Sequence, residues 1–312
     1  MPAPSVQELG QNRLLVDLDF RDTEGLIASY LLPETEGWTL LETGPETCHD
    51  ALLRGIERAG VGAEEIRHVF VTHIHLDHAG GMGALVDALP RATFLAHSIG
   101  VPHMVDPTRL VASARRAWGA TSDALWGSIG PVPADRIRGL DGGEVFPLKD
   151  GELRVLATPG HAKHHLAFFD TRIRGIFTGD GAGVRLADSS HLRPAVPPPD
   201  LDLDQLFASL ETMRRTDPRL VLFSHFGPSP DGVVDLTRYR TIVEEWRDVA
   251  LAAARERPEV DFVEQALREH DLPTYARASV RDRESLVSGY SLAAAGFLRY
   301  FETHALLSRD PR

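Results

Sequence analysis

Between Val71 and Gly83 the chain reads VTHIHLDHAGGMG, which places His73, His75, Asp77 and His78 within six residues, directly after an apolar run. Three imidazoles and a carboxylate are the nitrogen and oxygen donors that borderline and hard cations accept, zinc above all. One histidine alone would be read as a structural or surface residue. Burying four such groups without partners would cost several kcal/mol, so the H-x-H-x-D-H spacing points to a shared metal ion. Read as the end of a strand, the segment would set His73 and His75 on one face, because strand side chains alternate. Asp77 and His78 follow where the chain must turn toward a helix.

Four residues do not complete a site for two ions. Three further donors each close an apolar run: VLATPGH ends in His161, GIFTGD in Asp180 and LVLFSH in His225. Neighbouring glycines permit tight turns there. Loops along one sheet edge would then deliver all seven residues, as rigid scaffolds commonly do.

Together H-x-H-x-D-H, TPGH, TGD and a late strand-ending histidine resemble the metallo-β-lactamase superfamily over roughly residues 10–230. The resemblance implies an α/β fold, an αββα sandwich. Two packed mixed β-sheets would be flanked by helices, with the metal site at one sheet edge and a helical C-terminal extension. It implies one ion held by His73, His75 and His161, a second by Asp77, His78 and His225, and Asp180 bridging them. The ions would be two divalent cations, zinc first, with iron or manganese as alternatives. TPGHAKHHLAFFD is similar to an element of hydroxyacylglutathione hydrolases and acyl-homoserine lactonases. His165 stands four after His161 as it does there, although AKH replaces their usual TxG. The full set resembles most closely a prokaryotic subgroup described only as metal-dependent hydrolases.

Two cations about 4 Å apart can share a water and bring its pKa toward neutrality. The expected activity is therefore that of a dinuclear metal-dependent hydrolase. A metal-bridging hydroxide would attack a carboxylic ester, thioester or lactone, with Asp77 orienting it and carrying its proton. Two alternatives remain. One is a mononuclear iron persulfide dioxygenase-like oxidoreductase, against which His225 and the complete H-x-H-x-D-H set argue. The other is a non-catalytic small-molecule-binding relative, against which the full ligand set argues. No flavodoxin-like pattern and no G-x-S-x-G nucleophile element is present.

Among the neighbours, His164 and His165 read as residues that orient the ligands or the turn. Lys163 reads as solvated and His97 as a hydrogen-bonding residue. His103 and His191 lie in loop-like segments where contact with substrate stays open. Cys48, the single cysteine, reads as a small buried residue, and no intrachain disulfide can form.

The 312 residues carry a formal charge of -12 and are 43% hydrophobic, enough for a full core. An acidic surface without a basic stripe argues against nucleic acid as a partner. No apolar run reaches the roughly 18 residues of a membrane span, and the first 20 residues do not read as a secretory signal. The expectation is a cytoplasmic protein with a small-molecule substrate, no membrane partner and room for a homodimer.

Strand patterns cover 13–20, 26–32, 38–44, 66–73, 92–97, 151–160, 164–170, 173–180 and 219–225. Helical patterns cover 49–60, 83–89, 109–119 and 203–215, then everything after about Asp235. The division expected is a catalytic domain over 1–235 and a helical extension over 236–312 packed on it. The stiff PAVPPP stretch is expected near the end of the Asp180 strand, as a pocket wall.

Overall fold

The strand Ala28–Glu34 is buried at every position from Ala28 to Pro33, so it has no solvent-facing side. Such a strand must lie between two apolar layers. A computed structural model of the protein, which describes residues 4–185, 191–272 and 289–307, shows those layers. The first sheet contains β1 (Val6–Glu8), β2 (Leu14–Asp17), β3 (Ala28–Glu34), β4 (Gly37–Leu41), β5 (Ile66–Phe70), β6 (Thr93–His97) and β7 (Ile137–Leu140), in that spatial order. Its first four strands form an antiparallel meander; β4 to β7 run parallel. The second sheet contains β8 (Val145–Leu148), β9 (Gly151–Ala157), β10 (Leu166–Asp170), β11 (Gly175–Gly179), β12 (Leu220–Phe223) and β13 (Gly227–Ser229), with β13 beside β12 and β8 at the far edge. Only β11 and β12 pair in parallel.

The sheets meet face to face. Tyr30, Leu32, Phe70 and Leu95 of the first pack against Leu153, Phe168, Phe177 and Leu222 of the second. Arg13, itself buried, crosses this layer with its Nε 2.7 Å from Asp170 Oδ2. The opposite faces pack on helices, among them His49–Arg58 against the first sheet and Leu203–Arg214 and Gly232–Glu256 against the second. The chain is thus the α/β sandwich of two mixed sheets that its motifs imply.

Four strands lie outside the strand patterns of the sequence: β1, β7, β8 and β13. All four are sheet edges. They are three or four residues long and include Pro147 and Pro228, which edges tolerate because one backbone row needs no partner. GALVDAL forms only one helical turn, Leu85–Ala88.

The first C-terminal helix starts at Gly232, slightly before the expected boundary, and is followed by Val260–Asp271 and Tyr290–Thr303. Expected helix over 273–288 and 308–312 lies outside the described residues. Asp271 gathers the three helices by accepting from Trp246 Nε1 at 3.2 Å and Tyr290 OH at 3.1 Å. The last helix presses on the proline-rich loop at Gly296. A Cβ there would stand 1.8 Å from the Val196 carbonyl oxygen. Gly296→Ala should therefore destabilise the protein by about 1–3 kcal/mol, because the overpacking outweighs the roughly 1 kcal/mol gain in helix propensity. Urea denaturation checks this; an unchanged or raised midpoint would show that the contact is not tight.

Candidate metal centre

All seven predicted residues meet at one edge of the sandwich, on loops that leave strand ends. β5 stops at Phe70, so His73 and His75 lie in the bend beyond it and not on its pleated face. This corrects the expectation that strand alternation aligns them. The strand ends because the Thr72 N–H turns to the Glu42 side chain, 3.3 Å from Oε1, in place of a neighbouring strand. Other bonds hold the bend: Leu166 N donates to Thr72 O at 2.7 Å, and Thr43 N to His78 O at 2.9 Å. Asp77 and His78 sit on the single helical turn Leu76–Ala79.

His161 occupies the β9–β10 hairpin after Gly160, whose φ of 136° and closeness to Leu206 N (2.3 Å from a would-be Cβ) admit no side chain. Asp180 follows Gly179 at the end of β11, where φ is 48° and a Cβ would meet Thr72 Oγ1 at 2.4 Å. His225 lies two residues past β12. That end is tied to the first sheet by Ala28 N donating to Ser224 O at 2.9 Å.

The donor atoms form two groups: His73, His75 and His161, and Asp77, His78, Asp180 and His225, with the atoms of each group within 4.8 Å of one another. In the first, His75 Nδ1 stands 2.9 Å from His73 Nε2 and 3.0 Å from His161 Nε2. Two nitrogens bound at about 2.0–2.1 Å to one ion stand roughly 2.8–3.4 Å apart for angles between a right angle and the tetrahedral one, and these two separations fall at the short end of that range. In the second, His225 Nε2 lies 3.2 Å from His78 Nε2 and 3.3 Å from Asp77 Oδ2. Asp180 faces both groups. Its Oδ2 is 3.6 Å from His161 Nε2, and its Oδ1 is 3.4 Å from His78 Nε2 and 3.5 Å from His225 Nε2.

The backs of the rings decide what the fronts can do. His161 Nδ1 donates to Ala195 O at 2.8 Å and His225 Nδ1 to Leu26 O at 2.9 Å. A carbonyl only accepts, so each Nδ1 carries the proton, and in the neutral ring Nε2 presents a bare lone pair. Lone pairs converging in a buried place, with Asp180 Oδ1 buried there and making no hydrogen bond, are the pattern a cation satisfies. The donor set fits divalent metal ions.

Burial holds His73, His75 and His161 below the ordinary histidine range, His75 down to about 3, which keeps these rings in the neutral, ligating form. Burial also opposes charge on His78 and His225, but Asp77 and Asp180 outweigh it and push both upward. Conversely, burial disfavours charge on Asp77 and Asp180, and the two histidines outweigh it, holding both carboxyls low.

Glu42 is the residue that the motifs do not single out. It is buried, with the left-handed φ of 66° rare in residues that carry a Cβ. Its Oε1 accepts from Thr72 N and from Ser224 Oγ, each at 3.3 Å, and its Oε2 faces His78 Nδ1 at 3.5 Å. It therefore joins the loops that carry His73, His78 and His225. The available signal was an acidic residue ending the apolar run WTLLETG.

Other neighbours lie around the centre. His165 pairs with Thr158 Oγ1 at 2.8 Å, and His164 Nδ1 accepts from Ile74 N at 3.4 Å, both supporting contacts. Lys163 reaches Asp200 at 2.9 Å on the surface, His97 Nδ1 accepts from Ile99 N at 3.1 Å, and His191 Nε2 lies 3.7 Å from Asp271 Oδ2. Burial pushes the Cys48 thiol up to about 12, so it is no nucleophile at neutral pH.

A cavity of about 270 Å³ opens over the donors. His75, Asp77, His161 and Asp180 line its floor, while the helix Thr108–Trp118, the Ala195–Pro199 loop and the helix Tyr290–Thr303 contribute walls. The proline-rich loop thus forms a pocket wall as expected, and the last helix contributes Leu292 and Ala293. Lys163, His97, His103 and His191 are not among the described lining residues. No helix among the described residues is long and apolar enough to cross a membrane.

Known proteins are similar to this chain in sequence or in fold. A protein from Sulfurisphaera tokodaii, the metallo-beta-lactamase fold-containing protein ST1585, is 27% identical over 167 residues, 53% of this chain and 62% of that protein. A hydroxyacylglutathione hydrolase from Synechococcus is 26% identical over 151 residues, 48% of this chain and 47% of its own. The thioesterase pkgB of Emericella nidulans is 29% identical over 126 residues, 39% of this chain and 27% of its own. The chain therefore spans less than two thirds of the length of each of these relatives. Among solved structures, the metallo-beta-lactamase family protein TTHA1429 from Thermus thermophilus superposes with a TM-score of 0.63 over 98% of this chain and 95% of that one, at 18% identity. The profile of the metallo-beta-lactamase superfamily matches residues 22–225, and the chain belongs to that superfamily.

Proposed function

We propose that the protein is a dinuclear metal-dependent hydrolase of a carboxylic ester, thioester or lactone. The carrying observation is the gathering of seven donors into two groups, with Asp180 of one standing 3.6 Å from His161 of the other, beneath an apolar cavity. His73, His75 and His161 would hold one ion and Asp77, His78 and His225 the other, with Asp180 contributing one oxygen to each. Bound divalent ions supply Lewis acidity: they lower the pKa of a water and polarise a carbonyl. Zinc suits this donor set best.

The chain's own groups do the rest. Ala195 O and Leu26 O keep His161 and His225 in the tautomer that offers Nε2. Asp77 is partly exposed and lines the cavity, so its carboxylate can take a proton from the attacking water and pass it to the leaving group. The apolar walls exclude competing water. The curated relatives called thioesterase and hydroxyacylglutathione hydrolase support acyl-bond cleavage as the reaction class.

Elemental analysis of the purified protein should find about two divalent ions per chain. Asp180→Ala should lose at least one of them together with most activity. Full metal content in that variant, with wild-type turnover, would show that the shared ligand is misplaced. Hydrolysis of an activated ester or thioester should proceed without oxygen, and His225→Ala should slow it roughly a hundredfold, equivalent to about 2.7 kcal/mol. Oxygen consumption with glutathione persulfide that survives His225→Ala, with no hydrolysis of any ester, would point to the one-iron oxidoreductase. Glu42→Gln keeps an acceptor for Thr72 and Ser224 but removes the charge facing His78. It should weaken metal binding about 10–100-fold in a chelator competition; unchanged affinity would reduce Glu42 to a packing role.

A further inference from the structure

We propose that the cavity holds an uncharged apolar chain of medium length, so that the substrate is the ester or thioester of a medium-chain acyl group. The reaction named here rests on the hydrolase reading above; the binding of the chain does not. Above the four floor residues, the described lining is apolar apart from Ser113, and it contains no lysine or arginine. Leu110, Trp118 and Trp126 form one side, Val196 and Pro198 another, and Leu292 of the last helix contributes to the wall. A carboxylate or phosphate on the substrate's far end would lose its hydration there and find no counter-charge among the described lining residues.

These walls are already formed. Trp118 meets Trp126 edge to face at 5.4 Å, and Phe20 stacks behind Trp126 at 6.0 Å. Two proline rings stiffen Pro197–Pro198, and the close approach of Gly296 to Val196 O clamps the helix that carries Leu292. A preformed apolar pocket saves the ordering cost of binding. Its volume of about 270 Å³, near the lower end of the roughly 300–1,000 Å³ of small-ligand pockets, suits a chain of several carbons rather than a long lipid tail. Each methylene that enters favours binding about fourfold.

Two readouts test this. The first is tryptophan emission on titration with octan-1-ol and butan-1-ol, which need no reaction. The second is hydrolysis of p-nitrophenyl butyrate, p-nitrophenyl octanoate and the mono-p-nitrophenyl ester of suberic acid, whose chain matches octanoate in length but ends in a carboxylate. Octan-1-ol should change the emission saturably and bind at least tenfold more tightly than butan-1-ol. The octanoate should exceed both other esters at least tenfold in kcat/KM. Leu110→Glu should shrink both preferences at least fivefold; Ser113→Glu, at an exposed position of the same wall, serves if the first variant fails to fold. Equal binding of the two alcohols, or preference for the suberate ester, would overturn the assignment. Saturable octan-1-ol binding with no hydrolysis of any ester would support the apolar cavity and remove the hydrolase reading alone.

Discussion

The structure depends on one electrostatic constraint: several buried donors point their lone pairs at the same small volume. Ring nitrogens about 3 Å apart, beside two carboxylates, cannot all be satisfied by one another. Protons can relieve part of the conflict, as the raised affinity of His78 and His225 for them shows. The neutral trio of His73, His75 and His161 has no such remedy, because burial and neighbouring imidazoles disfavour its protonation. Divalent cations would resolve both halves together.

Holding that arrangement requires two sheets to be fixed at a common edge. The bonds that do so cross between them: Leu166 N to Thr72 O, Ala28 N to Ser224 O and Tyr30 OH to Phe223 O. Glu42 adds side-chain links to the same loops, at the expense of a left-handed backbone that costs about 1–2 kcal/mol in residues with a Cβ. Gly160 and Gly179 let the turns that carry His161 and Asp180 approach Leu206 and Thr72 more closely than any side chain would permit. The site is thus positioned by backbone contacts between sheets, and the proline-rich loop with the last helix then shapes what can reach it.

What the sequence disclosed follows from where its signals are dense. The seven donors were legible because each closes an apolar run and because a cluster such as H-x-H-x-D-H has few other uses. The inner strands were legible through their apolar, β-branched and aromatic content, as in RLVLFSH. The edge strands were not: IRGL, VFPL and GPS are too short and too polar or proline-bearing to show a period of two. Strand pleating would align His73 with His75, whereas a long-range bond from Thr72 to Glu42 ends the strand before them. Such a bond leaves no local pattern, and the same holds for Glu42 itself, which looks like an ordinary residue before a turn. The apolar walls were hidden for a related reason, since they assemble from segments some 180 positions apart, such as Leu110 and Leu292.

The central claim, that two cations complete this edge of the sandwich, is tested most directly by anomalous scattering at the metal absorption edge from crystals of the metal-loaded protein. The account predicts two peaks. One lies among His73 Nε2, His75 Nδ1 and His161 Nε2, the other among Asp77, His78 and His225, with Asp180 between them. A single peak in fully loaded crystals, or peaks that lie away from these atoms, would contradict it.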